Sequence, residues 1–129
     1  MDDISILTKD LRSNSLSDRE IVLRHKDAIE AVEMLCNSNW LILGWEIWFR
    51  YPNGQISHFF EHDGTTWIEA SDWDIDEKEE WRILVKDLAE QCKYEITNSE
   101  TYWRDKCKVS GVEPFFCITA TDSLRGGEK

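Results

Sequence analysis

Basic residues are scarce in this chain, and their scarcity excludes several classes of partner. The 129 residues include 15 Lys and Arg against 26 Asp and Glu, so the net charge is −11 and the sequence pI is about 4.6. Phosphate groups would be repelled over most of such a surface. We therefore expect the chain to bind neither nucleic acid nor an anionic membrane.

Long apolar runs are missing as well. No segment approaches the roughly 18 apolar residues that cross a bilayer, and residues 1–5 are acidic and lack the apolar core of a secretory signal. These absences predict a cytoplasmic protein. The cysteines are too few and too widely spaced for a disulfide scaffold, which predicts free, buried thiols at Cys36, Cys92, Cys107 and Cys117.

Sequence signatures of catalysis and metal binding are also lacking. There is no glycine-rich phosphate loop, no GxSxG, no HExxH and no CxxC. His58 and His62 have no neighbouring ligands that would complete a zinc site. Residues 72–76 begin like a calcium-binding EF-hand loop, but Glu77 and Ile83 stand where that loop needs Gly and Glu. We expect a non-catalytic protein without metal or cofactor; the rival hypothesis is a thiol enzyme with one unusually reactive cysteine.

The length suits one domain, which we place at residues 17–122, after a lead-in at 1–16 and before a flexible tail at 123–129. Ser17 and Glu20 have the spacing of a capping box, which predicts that a first helix begins there. Its apolar stripe continues to Cys36.

Alternating residues predict the sheet. Residues 40–51 have one wholly apolar face, formed by Leu41, Leu43, Trp45, Ile47, Phe49 and Tyr51. A turn at residues 52–54 and strands over 55–61 and 65–70 would complete a three-stranded antiparallel meander, and 114–121 would add a fourth strand.

Helical spacing returns over about residues 77–96 and predicts a second helix. The pattern leaves open a short third helix over 98–108, which Gly111 would end. The sequence thus predicts an α+β domain with a mostly antiparallel sheet and two or three helices on one face.

Charge is concentrated in residues 61–80, which we call the acidic segment. It holds nine acidic residues and one lysine, a net of −8 out of −11, with Trp67 and Trp73 among them and Trp81 directly after them. One interpretation is a solvated loop that aids solubility, with Trp81 in the core. The other is a surface that binds a basic protein, with Trp73 as its anchor. We favour the second, with candidate binding residues Glu61, Asp63, Trp67, Asp72, Trp73, Asp74, Asp76, Glu77, Glu79 and Glu80.

Residues 24–81 combine an amphipathic helix containing DAIEAVEML, a strand with LGWE at 43–46, a YPNG turn at 51–54 and the acidic segment. In this the chain resembles the small immunity proteins of bacterial polymorphic toxin and contact-dependent inhibition systems. The resemblance implies a tight one-to-one complex with a cognate toxin domain, often a basic nuclease, whose active site is blocked. We expect the free protein to be a monomer or a weak homodimer.

The alternative function is that of an adaptor module, which binds a partner through the outer aromatic face of the sheet. The residues predicted on that face are Trp40, Trp48, Phe59 and Trp67.

Overall fold

A five-stranded antiparallel sheet lies at the centre of the fold in the computed structural model of the chain. The structure describes residues 2–62, 65–67, 69–73, 75 and 78–123, with the backbone alone at 61, 62 and 65–67. In chain order the elements are a 3₁₀ turn (Asp3–Ile6), α1 (Lys9–Asn14), β1 (Ile21–Leu23), α2 (His25–Asn37), β2 (Leu41–Arg50), β3 (Ile56–Ser57), β4 (Phe60–His62), β5 (Thr65–Trp67), β6 (Ala70–Asp72), α3 (Trp81–Ser110) and β7 (Glu113–Thr121). The predicted α+β class is confirmed.

Strand order differs from the prediction. β7 lies between β1 and β2, while β3 and β6 both pair with the other edge of β2; every pairing is antiparallel. β3 pairs at Phe49 and Arg50, and β6 pairs further along at residues 44–46. The predicted three-stranded meander is therefore wrong, because two short strands share one edge of β2.

The chain between β3 and β6 forms a separate hairpin of β4 and β5, with Phe60 opposite Trp67. Phe60 is buried, and its ring centroid lies 5.5 Å from that of Phe49 and 5.2 Å from that of Trp103 on α3. Packing against two large rings draws β4 away from the sheet and separates β3 from β6.

Only half of the capping box predicted at Ser17 forms, because the Ser17 amide donates to the Ser15 Oγ at 3.4 Å and not to the Glu20 carboxylate, and no helix follows it. The Ser17 Oγ accepts the amides of Arg19 and Glu20, each at 3.1 Å. The next three residues are β1, which is fully buried and pairs with the central strand β7. A serine turn of this kind supports a strand as readily as a helix, and β-branched Ile21 and Val22 favour the strand. The first long helix begins only at His25.

One helix of 30 residues, α3, spans both the predicted second helix and the segment where the pattern left a third helix open. Asn98 and Ser99 do not end it, because its buried stripe continues through Ser99, Trp103 and Cys107 and packing overrides weak helix propensity. Gly111 ends it as predicted, in the left-handed conformation with φ 71°. The helix begins at Trp81, four residues later than predicted, so Glu79 and Glu80 precede it.

The core lies between one face of the sheet and the helices. α1, α2 and α3 all contribute to the main buried cluster, together with Ile4 and Leu7 of the lead-in. The predicted inward face of β2 holds from Trp45 to Phe49. A bulge between Ile42 and Gly44 shifts the alternation by one residue, so that Trp40 and Ile42 also enter this core.

Gly44 allows β6 to approach β2 closely. A Cβ at this position would lie 2.6 Å from the backbone oxygen of Ser71 and 3.1 Å from the Cβ of Asp72. We expect Gly44→Ala to lower the free energy of unfolding by about 1–3 kcal/mol, with faster amide exchange in β6. Urea unfolding would measure the loss, with Thr119→Ala, opposite Gly44 on β7, as the control. Equal stability of the two variants would show that the close approach of β6 to Gly44 does not restrict the size of the side chain at this position.

Candidate protein-binding site

The structure describes the acidic segment in part. Asp63, Asp74, Asp76 and Glu77 lie outside the described residues, and Glu61 and Trp67 are described by their backbones in β4 and β5. The candidate residues with described side chains are Asp72, Trp73, Glu79 and Glu80. They lie along β6, at the edge of the sheet, and in the connection that leads to α3.

Three of these side chains are exposed carboxylates. Asp72 ends β6, and Glu79 and Glu80 immediately precede α3. Within the described part of the chain none of the three takes part in an ion pair. They therefore present uncompensated negative charge to solvent, as a surface for a basic partner requires.

Glu69 belongs to the same acidic segment but points inward. Its carboxylate accepts hydrogen bonds from the Ser99 hydroxyl and from the Trp103 Nε1, the latter at 3.1 Å. Both donors lie on α3 and are buried. Glu69 therefore attaches the acidic segment to the helix and is not part of its exposed charge.

Trp73 is not the free anchor that the sequence suggested. It is half-buried against the main core, and its Nε1 donates to Oε2 of Glu95 at 3.2 Å. An indole N–H that leaves water needs an acceptor, and Glu95 supplies it. Part of the ring lies on the surface, where a partner could contact it.

Glu95, on α3, is the centre of this attachment. It also accepts the Trp45 Nε1 at 2.9 Å and the Gln91 Nε2 at 2.6 Å. Burial alone would raise the pKa of Glu95, but hydrogen bonds from Gln91, Trp45, Ser71 and Trp73 outweigh it and hold the pKa below its ordinary value. This network was not predicted from the sequence, although Glu95 borders the apolar stripe of α3 at helical spacing from Cys92 and Ser99.

An open groove lies between β6 and the outer face of β2. Its volume is about 470 Å³, and Gly44, Glu46, Ser71, Asp72 and Thr119 are among its lining residues. Two of the described lining residues are acidic and none is basic. The groove therefore continues the negative surface of Asp72 onto the sheet.

The outer aromatic face is smaller than the alternative hypothesis requires. Trp40 is buried in the core and cannot contribute. Trp48 is half-buried, stacked on His58 with 4.6 Å between ring centroids, and its Nε1 donates to Glu46 at 3.0 Å. Phe59 is 43% exposed. Trp48 and Phe59 are the described residues through which an adaptor could bind.

The cysteines are free, and three of the four are buried. Burial raises the pKa of Cys92, Cys107 and Cys117 to about 12 in each case. These three thiols are therefore neutral near pH 7 and are poor nucleophiles. Cys36 is half-buried.

Neither a metal-ligand cluster nor a membrane span is found among the residues that the structure describes. No three or more His, Cys, Asp and Glu side chains group there as ligands. No described helix has the length and apolar character needed to cross a membrane. Comparison with protein-family models, with curated proteins and with solved structures finds no match for this chain.

Proposed function

We propose that this chain is an immunity protein, which binds a cognate toxin domain with a basic active-site cleft and blocks that cleft. The observation that carries the proposal is the exposed charge of Asp72, Glu79 and Glu80, which form no ion pair among the described residues. Asp72 also lines a groove whose described lining includes acids and no base. Such a protein would act in the cytoplasm, where it meets the toxin.

Inhibition follows from charge complementarity. A nuclease holds phosphates with Arg and Lys side chains, and carboxylates pair with the same side chains through charge-assisted hydrogen bonds. The acidic segment would therefore occupy the place of the nucleic acid backbone. Its field also raises the rate of encounter with a cationic protein, which favours capture before the toxin acts.

The attachment of the acidic segment to α3 supports a tight complex. Glu69 binds Ser99 and Trp103, and Glu95 binds Trp73, so both ends of β6 are fixed to the helix before any partner arrives. A surface that is already ordered loses less conformational entropy on binding. This arrangement supports one-to-one recognition by a preformed surface.

Charge reversal tests the proposal. The variant Asp72→Lys/Glu79→Lys/Glu80→Lys should weaken binding to the cognate domain by at least about a hundredfold at low salt and reduce the salt dependence of the affinity. The control variant Asp10→Lys/Asp18→Lys/Glu30→Lys changes the net charge equally at exposed positions away from the acidic segment. The tagged protein would be used to capture its partner from the native host, and the captured protein assayed for toxic enzymatic activity with each variant.

Inhibition at one-to-one stoichiometry by the wild type and the control, but not by the charge-reversed variant, is the expected result. Equal inhibition by all three would contradict the proposed surface. A partner without enzymatic activity, whose binding is insensitive to salt and is lost with Trp48→Ala, would instead favour the adaptor alternative. That alternative rests on exposed Phe59, which follows His58 in the chain, and on Trp48, which stacks on His58.

A further inference from the structure

A second cavity lies on a different part of the molecule from the acidic segment. It has a volume of about 390 Å³ and lies where the start of α2, the second half of α3 and the start of β7 meet. Its lining includes Arg24, Arg104 and Lys108, with Glu100 and Glu113 as the acids. Among its described lining residues, three cationic groups against two carboxylates give a net charge of +1, in a chain whose net charge is −11.

One of the two carboxylates is already neutralised by arginines. The Glu113 Oε2 accepts the Arg24 Nη2 at 2.8 Å, and its Oε1 accepts the Arg50 Nη2 at 2.6 Å. Hydrogen bonds from Arg50 and then Arg24 are the main reason that the pKa of Glu113 lies below its ordinary value. Arg24 therefore needs no further partner at this wall, and Arg50, which is not among the described lining residues, adds a second positive charge beside Glu113.

The opposite wall holds Arg104 and Lys108, one turn apart on α3. Both are exposed, and within the described residues neither takes part in an ion pair. Glu100 is the only acid among the described lining residues on this helix. The donors of Arg104 and Lys108 are thus available to a ligand.

The floor between these walls is apolar. It includes buried Val112 and the ring of Pro114, directly after the helix end at Gly111. A cavity with cationic walls and an apolar floor suits a ligand with a charged group at one end and a small hydrophobic body at the other.

We propose that this cavity binds a small organic oxyanion, with a carboxylate or phosphate group paired to Arg104 and Lys108 and an apolar body against Val112 and Pro114. The planar fork of Arg104 matches either oxyanion, and Lys108 adds a point charge. The proposal does not depend on the proposed function, because it involves neither the acidic segment nor a protein partner.

Titration of the isotope-labelled chain with benzoate, phenyl phosphate and inorganic phosphate, followed by amide NMR at low salt, tests the inference. The first two probes distinguish carboxylate from phosphate, and the third tests the need for an apolar body. We expect saturable shifts at residues 104, 108 and 112 with at least one of the two aromatic probes. Arg104→Ala/Lys108→Ala should weaken binding by at least about tenfold, whereas Lys86→Ala/Lys106→Ala, with the same charge change on the same helix, should weaken it less than about twofold.

The first variant should fold, because both positions are exposed and alanine favours a helix. Arg104→Gln/Lys108→Gln gives a second, independent measurement of the same loss. The inference is overturned if none of the probes causes saturable shifts, if the shifts fall outside this cavity, or if the two alanine variants weaken binding equally. Tighter binding of inorganic phosphate than of the aromatic probes would overturn the role of the apolar floor.

Discussion

Trp103→Ala is expected to lower the free energy of unfolding by about 3–5 kcal/mol. Trp103 is 2% exposed. Its ring centroid lies 5.1 Å from that of Phe49 and 5.2 Å from that of Phe60. The truncation removes the contact that joins β2, β4 and α3 and leaves a cavity among them.

The same change also removes a hydrogen bond. The Trp103 Nε1 donates to Glu69, whose carboxylate is partly withdrawn from water. Without the Trp103 indole, the Glu69 carboxylate keeps a single described donor, Ser99. The cost of this lost hydrogen bond adds to the cost of the cavity in lowering the free energy of unfolding. Trp103→Phe separates the two contributions, since it keeps an aromatic ring but not the N–H.

Urea unfolding of Trp103→Ala, Trp103→Phe and Tyr94→Ala measures these contributions. Tyr94 lies on the same helix and is 66% exposed, so its truncation should change stability by no more than about 0.5 kcal/mol. Trp103→Phe should fall between the other two. If Trp103→Ala were no less stable than Tyr94→Ala, the packing of Trp103 against Phe49 and Phe60 would not be a principal part of the core.

Amide exchange would show where the structure is first lost. Phe60 and Glu69 bracket β4 and β5, and both contact Trp103. We therefore expect exchange in Trp103→Phe to increase first around residues 60 and 69–72, before β7 or α2 is affected. A uniform increase across the chain would contradict this local role.

The fold was predictable from sequence where a pattern is local. The alternation over β2 and the apolar stripe of α3 are readable because each repeats within a single element. β1 could not be recognised from the sequence, because a serine hydroxyl that accepts the next amides occurs before a strand as well as at the start of a helix. The pairing of both β3 and β6 with one edge of β2 could not be predicted from the sequence. It depends on the packing of Phe60 against aromatic rings from distant parts of the chain.

The candidate site was predictable to a similar extent. Exposed charge at Asp72, Glu79 and Glu80 follows from composition, because ionised side chains lie mostly in water. The inward turn of Glu69, in the same run, does not follow from composition, because its donors lie on α3. The partner of Trp73 was not predictable, because Glu95 lies 22 residues further along the chain. The cavity lined by Arg24, Arg104 and Lys108 was not predictable for the same reason. Arg24 and Lys108 are distant in sequence and come together only when β1 and β7 pair.

Glu95→Gln is expected to lower the free energy of unfolding by about 2–3 kcal/mol near pH 7. Glu95 accepts Trp45 on one oxygen and Trp73 and Gln91 on the other. A glutamine keeps only one acceptor oxygen. Its NH₂ group replaces the other oxygen and then faces an N–H donor of Trp45, or of Trp73 and Gln91, with no acceptor between them. Glu90→Gln is the matched control one turn away, since Glu90 is exposed and its ion pair with Lys93 should contribute less than about 0.5 kcal/mol.

The pH dependence of the stability difference between the wild type and Glu95→Gln tests whether the negative charge of Glu95 causes it. The pKa of Glu95 in the folded protein lies below its ordinary value of 4.5, so the stabilising contribution is complete above that pH and is lost as the pH falls through the folded pKa. The stability gap between wild type and Glu95→Gln should therefore be largest above about pH 5 and should narrow towards pH 3. Asp3, whose pKa burial raises, and Glu113, whose pKa its arginines lower, are common to both proteins and cancel in the difference. A gap that stayed constant from pH 7 to about pH 3 would mean that Glu95 acts through its shape alone, and that the acidic segment is not held to α3 by an ionised carboxylate.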